Sequence, residues 1–304
     1  MRRGLSAVGA AALGGALIAS GGPAWAATTV TSNAFAVGSV TAASGGAKSA
    51  VAVRWNGSAW SQLAVPKPAG TDTEFTAVKA FSATDVWAVG DTAPAGSTFR
   101  QALTMHDNGA TWSTSATPSP GTRNNTVTAV DGVSGTDAWA VGYTLDLPYG
   151  NRIRDSLILH WNGTAWTQVP SPNNGSTYLY DVAAVSANEA WAVGYGSTAG
   201  AFVLRWNGTA WNAVAAPALF SLSGVAARSG TDVWVTGADA AGAPALAHWN
   251  GTGWSVTPVS VTGGAGTPAL TTVAVVDPTT EWAVGYQQDA TTGQGSAIAF
   301  RVAG

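Results

Sequence analysis

The chain has 304 residues, no cysteine, 15 tryptophans, 38 glycines and 10% charged residues, with a net charge of −3. That composition is too aromatic for a disordered chain, and without a basic cluster it offers no electrostatic footprint for nucleic acid. Disulfide and thiolate chemistry are excluded outright, so stability must come from packing.

The first 26 residues read as a secretory leader. Arg2 and Arg3 form its positive end, Leu5 to Ser20 is apolar and rich in Ala and Gly, and Ala24-Trp25-Ala26 is a small-x-small cleavage site. The mature chain is expected to start near Ala27. A retained anchor is the rival reading, but the apolar run is short for a bilayer span of ~20 residues. Gly4-Leu5 departs from a twin-arginine signal, and no cysteine follows to carry a lipid. The expectation is a protein secreted from a bacterium, with no membrane span after cleavage.

The mature region repeats itself. Asp-x-Trp-Ala-Val-Gly stands at Asp85 to Gly90 and Asp137 to Gly142. Glu189 to Gly194 carries Glu for Asp, and Asp232 to Gly237 reads Asp-Val-Trp-Val-Thr-Gly. Degraded copies run from Asn33 to Gly38 and from Glu281 to Gly285. A second motif, Trp-Asn-Gly-(Ser/Thr)-x-Trp, follows at Trp55 to Trp60, Trp161 to Trp166, Trp206 to Trp211 and Trp249 to Trp254, with a variant at Asp107 to Trp112. Every tryptophan but Trp25 belongs to one of these motifs, so tryptophan use here is architectural.

Each repeat reads as four short strands bounded by Gly, Pro and Asn. In the third they are expected at about 126–133, 137–143, 155–161 and 165–170. Asn-Gly between the last two is a hairpin signal, because both central residues of a type I′ turn need φ > 0. Four strands per period of roughly 45 residues is the blade signature of a propeller. The predicted fold is therefore an all-β, six-bladed β-propeller with about four antiparallel strands per blade. Its last blade stops at Arg301-Val302 and lacks the outer strand. The domain plan is a leader over 1–26 and one propeller over 27–304. Its repeats fall at about 27–70, 71–122, 123–175, 176–217, 218–265 and 266–304. Ring closure is expected from packing of the first blade on the last, without a swapped strand.

In the variant copy, Asp107, Gly109, Thr111 and Trp112 fit the Asp-x-Gly-x-Thr-Trp hairpin of the Asp-box, although Met105 replaces its usual Ser or Thr. On those residues the whole mature chain resembles secreted bacterial repeat propellers of the Asp-box and kelch-like kind. The resemblance implies the fold and leaves function open, since such propellers serve as lectins, glycosidases, lyases and scaffolds. The sialidase signature Phe/Tyr-Arg-Ile-Pro is missing, so no active site comes with it.

Among candidate chemical groups, His106, His160 and His248 share one slot before the second motif with Arg54, Arg205 and Arg301. Rotational symmetry spreads that slot around the ring, so the histidines cannot converge on a metal. Each is expected to donate to the Asp or Glu of its own blade's turn between strands a and b. Those acids, Asp85, Asp137, Glu189 and Asp232, are read as capping residues of that turn. Asp131, Asp181 and Glu74 do not repeat and fall on inner strands. They are the candidates for a carboxylate pair of the kind glycosidases use, although a Lys79–Asp131 ion pair is the duller account. Asn56, Asn162, Asn207 and Asn250 are formal glycosylation acceptors that hairpin chemistry already explains.

The departures from the repeat point to one face. The connection between strands b and c of the third repeat, Leu145 to Arg154, is the longest and most polar. The b–c and d–a loops emerge on the same end of a blade, and loops on rigid scaffolds carry binding residues. The candidate ligand-binding set is Arg123, Asn124, Asp146, Tyr149, Arg152, Arg154, Tyr178 and Tyr180. The expected function is a monomeric, secreted, non-catalytic propeller that binds a glycan, cell-wall polymer or cell-surface protein without cofactor or metal. A secreted glycoside hydrolase or polysaccharide lyase using carboxylates at the channel mouth is the alternative.

Overall fold

The computed structural model describes residues 6–7, 25–30, 33–42, 47–146, 153–260, 266–277, 280–289 and 295–303. Six sheets account for all of its regular structure, and the described residues contain no helix. Blade 1 holds β1 (Ser6–Ala7), β2 (Trp25–Val30), β3 (Asn33–Thr41), β4 (Lys48–Trp55) and β5 (Trp60–Leu63). Blade 2 holds β6 (Thr71–Ser82), β7 (Asp85–Pro94), β8 (Gln101–Asp107) and β9 (Trp112–Ser115). Blade 3 holds β10 (Asn124–Ser134), β11 (Asp137–Leu145), β12 (Ser156–Trp161) and β13 (Trp166–Gln168). Blade 4 holds β14 (Thr177–Ser186), β15 (Glu189–Gly196), β16 (Gly200–Trp206) and β17 (Trp211–Val214). Blade 5 holds β18 (Ser221–Ser229), β19 (Asp232–Ala238), β20 (Pro244–Trp249) and β21 (Trp254–Pro258). Blade 6 holds β22 (Gly266–Asp277), β23 (Thr280–Asp289) and β24 (Gly295–Ala303), and has no fourth strand among the described residues.

Apart from β1, every pairing is an antiparallel meander between consecutive strands. Blade 1 differs from the expected four strands. Its innermost strand begins at Trp25, within the expected leader, and β1 pairs parallel to it at Ser6↔Ala26 and Ala7↔Ala27. β1 also lies beside β22 and β23 of blade 6. A cut after Ala26 would still leave Ala27–Val30 to pair with β3.

Second strands are near-continuous apolar runs because other sheets cover both of their faces. In β11, Ala138 to Gly142 is buried without interruption. Gly142 is needed there, since a Cβ would meet the Thr126 carbonyl oxygen at 1.9 Å. The c–d hairpin of the same blade turns on Gly163 at φ +89, a conformation that costs a glycine nothing.

Tryptophans join the sheets in a stagger. The anchor of one blade packs against the hairpin tryptophans of the next. Trp87 meets Trp161 at 4.7 Å and Trp166 at 5.2 Å, and Trp139 meets Trp206 at 4.9 Å and Trp211 at 5.1 Å. Trp139 is 2% exposed and Trp191 1%. Trp234 would meet the hairpin of blade 6, a blade with no fourth strand among the described residues, and it is only half-buried.

Inner strands are joined by hydroxyls. Each of these strands but β2 carries a bulge, and the residue in the bulge is Thr76, Thr128, Tyr180, Ser223 or Thr271. Thr76 donates to the Val127 carbonyl of the next blade at 2.7 Å, Thr128 to that of Leu179 at 2.9 Å, and Ser223 to that of Leu270 at 2.8 Å. Blade 4 breaks this rule. Tyr180 takes the hydroxyl position, and the following Asp181 instead accepts the Val225 N–H of blade 5 at 2.9 Å.

Candidate binding face

The repeated donor slot lies at the end of the blades where the a–b turns and c–d hairpins meet. His106, His160 and His248 Nε2 stand 2.8, 2.8 and 2.9 Å from Asp85, Asp137 and Asp232 Oδ1. Arg205 reaches Glu189 at 2.8 Å, Arg54 reaches Asn33 at 2.8 Å, and Arg301 reaches Thr280 at 3.4 Å. The first four pairs follow the expected rule. In blade 6 the acid, Glu281, is taken by Arg228 of blade 5 instead. Burial would raise the Asp232 carboxyl, but hydrogen bonds from Arg228 and His248 hold it below its ordinary value. Capping of the a–b turns falls to serine rather than to these acids: Ser82 and Ser134 Oγ accept the N–H groups of Thr84 and Thr136.

The candidate carboxylates are all engaged. Asp131 pairs with Lys79 at 2.6 Å and accepts the Ala184 N–H at 2.8 Å. Glu74 lies 2.9 Å from Lys48 and 3.7 Å from Arg100. Asp181 keeps an edge open to solvent but is ringed by protein. Burial pushes its carboxyl up to about 7, with the nearby Asp131 adding to the rise and the amides of Val225 and Val182 opposing it. No group of three His, Asp or Glu side chains placed to hold a metal occurs among the described residues.

The opposite end carries the b–c and d–a loops, and here an aromatic run crosses three blades. Tyr143 of blade 3 lies 5.0 Å from Tyr178 of blade 4. Tyr178 lies 6.1 Å from Tyr180, nearly parallel to it, and 6.2 Å from Tyr195. Tyr195 continues to Phe220 at 5.3 Å. Tyr180 is 37% and Phe220 50% exposed, large values for aromatic side chains that strand packing would otherwise bury. Beside the far end of the run lies a groove of ≈ 440 Å³ lined by Tyr195, Ser197, Thr198, Gly200, Leu219 and Phe220. Burial raises the Tyr178 hydroxyl above its ordinary value, against the pull of the Arg154 guanidinium.

Symmetry-related positions show how local this chemistry is. Tyr178 faces Tyr195 across β14 and β15, as Glu74 faces Asp91 across β6 and β7. The same pair of positions holds a charged cluster with Arg100 in blade 2 and two tilted tyrosine rings in blade 4.

The sequence-derived residues separate into two groups. Arg154 stacks over Tyr178 at 5.1 Å, and Arg123 stacks over Phe99 at 4.7 Å. Tyr178 and Tyr180 belong to the run. Asn124 and Asp146 hold loops instead: Asn124 Oδ1 accepts the Arg100 N–H, and Asp146 accepts both the N–H and the hydroxyl of Thr122. Asn125 and Asn173 likewise accept the N–H groups of Gly121 and Ser156. Tyr149 and Arg152 lie outside the described residues. Sequence reasoning missed Phe99, Tyr143, Tyr195 and Phe220. The signal for Tyr143 and Tyr195 was the Gly-Tyr that ends Trp-Ala-Val-Gly-Tyr in repeats three, four and six, which reads as ordinary strand, and Phe99 and Phe220 carried no repeated signal.

A second hollow, of ≈ 350 Å³, lies on the hairpin end of blade 4 and is lined by Asn188, Arg205, Trp206, Asn207, Asn212 and Val214. Its polar groups are spent internally: Arg205 on Glu189, Asn207 on its own turn, and Asn212 on the Ala210 carbonyl.

Comparison with solved structures gives the fold directly. A fungal lectin from Aleuria aurantia, described as a six-bladed β-propeller with a novel fucose recognition mode, is 12% identical with a TM-score of 0.55. The match covers 93% of this chain and 91% of the lectin. The fold is a six-bladed β-propeller. YCF48 bound to a D1 peptide is 15% identical with a TM-score of 0.52, covering 89% of this chain and 83% of that one. The SapL1 lectin in complex with α-methyl fucoside is 12% identical with a TM-score of 0.54, covering 93% and 96%. At these identities the likeness concerns the fold. No model of a protein family matches the chain, and neither does any curated protein.

Proposed function

We propose that the chain is a secreted, non-catalytic binding propeller that takes a glycan on the end carrying its b–c and d–a loops. The observation that carries this reading is the half-buried run from Tyr143 through Tyr178 and Tyr195, which ends at the exposed Phe220. Sugar rings present flat C–H faces that stack on aromatic rings, and Tyr adds a polar tip to each contact. The groove beside Phe220 adds the hydroxyls of Ser197 and Thr198 and the backbone at Gly200, which suit the many hydroxyls of a sugar. The propeller lectins of similar fold are named for fucose, and this supports the reading at the level of binding mode.

A protein partner is the second reading, favoured by the peptide bound to YCF48. The leader over 1–26 and one propeller over 27–304 belong to the same proposal. So does the kinship with Asp-box propellers, for which Asp107 accepting the Gly109 N–H at 3.0 Å supplies the turn.

A glycan array probed with the full chain and with Tyr178→Ala and Phe220→Ala variants tests the reading. Binding to a restricted set of glycans, weakened about tenfold or more in both variants, is expected, since hot-spot aromatics cost over 1 kcal/mol when truncated. Glycan binding that both variants retain in full, or no glycan bound while a peptide library yields ligands, would favour another surface or a protein partner.

A further inference from the structure

Nearly every cationic side chain among the described residues donates to a protein acceptor. Lys48, Lys79, Arg100, Arg205, Arg228 and the three histidines meet carboxylates. Arg54, Lys67 and Arg301 meet amide, carbonyl or hydroxyl oxygens. Arg123 and Arg154 alone among the described cations have no side-chain hydrogen bond and no ion pair, yet both are half-buried. Each is held over an aromatic ring, Phe99 and Tyr178 respectively. The nearby acids do not answer them, since Asp146 is used by Thr122 and Asp155 by Asn173.

The two arginines flank the end of β11. Arg123 donates its backbone N–H to the Leu145 carbonyl at 3.1 Å, and Ile153, next to Arg154, bridges to Asp146 on the other side. Two strand spacings separate the backbones, on the order of 10 Å. A half-buried guanidinium without an acceptor loses hydration, and its ring contact returns only part of that loss. Stacking fixes its plane and leaves its five donors free, the geometry that captures carboxylate or phosphate.

We infer that the ligand of this face is an acidic glycan, whose sugar rings lie along the tyrosines and whose carboxylate or phosphate groups are taken by Arg154 and Arg123. This deepens the proposed function and rests on its choice of face. A carboxylate would come from a uronic acid and a phosphate from a phosphodiester-linked wall polymer; the recognising chemistry is the same.

The test is equilibrium binding of the full chain to polygalacturonate, to the same polymer fully methyl-esterified, and to a glycerol-phosphate teichoic acid. Arg154→Gln and Arg123→Gln remove the charge and keep a polar, shorter side chain. Neither arginine side chain is hydrogen-bonded, so both variants are expected to melt like the wild type. Binding to polygalacturonate or to the teichoic acid is expected, and which of the two binds identifies the source. The methyl ester should bind about tenfold weaker or less, and each Gln variant should lose about tenfold on the acidic polymer, as charge-assisted hydrogen bonds are lost. Lys67→Gln, on blade 1, should leave affinity unchanged. Equal affinity for the ester, full affinity in both Gln variants, or no binding to any of the three polymers overturns the inference. Loss of a neutral glycan in Tyr178→Ala with none in the Gln variants would overturn it while sustaining the aromatic face.

Discussion

His160 sits 4.2 Å from the ring of Trp139 and hydrogen-bonds Asp137, all within blade 3. Removing the imidazole leaves Asp137 unsatisfied, at a cost of about 1–3 kcal/mol. His160→Ala should therefore lower the melting temperature and leave ligand affinity as it was; unchanged stability would remove the structural role. Asp181 gives a residue-scale signal of a different kind. Its folded carboxyl titrates at about 7 against an ordinary 3.8. The folded chain thus holds a proton that the unfolded chain has released, and Asp181's contribution to stability falls as pH rises from about 4 to about 7. Melting curves of the wild type and Asp181→Asn should show the variant gaining on the wild type across that window. A gap of equal size at pH 4.5 and pH 7.5 would contradict this. The donor slot was legible because it repeats: His and Arg alternating at one position share little except N–H groups. Asp181 was legible as an exception, but not its work. Only the bulge shows that it replaces a hydroxyl clasp with an amide-accepting carboxylate.

Blades are elements here, and the contacts that join them were partly readable. The repeated tryptophans marked the anchors as architectural, and Phe35, Trp87, Trp139 and Trp191 are buried, but the repeat did not show the stagger by which Trp87 and Trp139 meet the hairpin of the next blade. That stagger predicts that Trp139→Ala and Trp191→Ala each loosen two blades, with a loss of about 3–5 kcal/mol in chemical denaturation. A loss under 1 kcal/mol would show that the rings carry little of the interface. The hydroxyl clasps were not legible, since a threonine in a strand looks like ordinary β-propensity. Thr128→Val keeps the shape and removes a donor that lies 2.9 Å from both the Val141 and Leu179 carbonyls. It should destabilise by about 1 kcal/mol with no effect on ligand affinity, and a variant as stable as the wild type would reduce the clasp to a geometric coincidence. Strand limits in blade 3 differed from expectation by at most two residues: β10 starts two earlier and ends one later, β11 ends two later, and β13 is shorter at both ends.

Across the whole molecule, the architecture could be read from sequence because its determinants recur every 43 to 52 residues. The proposed binding face could not, because Tyr143, Tyr178, Tyr195 and Phe220 belong to three different blades and meet only once those blades pack together. Three of the candidate residues expected on the face of the b–c and d–a loops, Arg154, Tyr178 and Tyr180, border or join this run, whereas Arg123 stacks on Phe99. Asn124 and Asp146 turned out to brace loops, a use that polar composition alone does not distinguish from ligand contact. Hydrogen exchange of the full chain, with and without the glycan that the array ranks first, tests the central claim most directly. The account predicts protection of peptides covering Thr177–Gly200 and the entry to β18 at Phe220, with the Asn-Gly hairpins at Asn162 and Asn207 unchanged. Protection confined to those hairpins, or to the hollow beside Arg205, would place the ligand on the opposite end and contradict it.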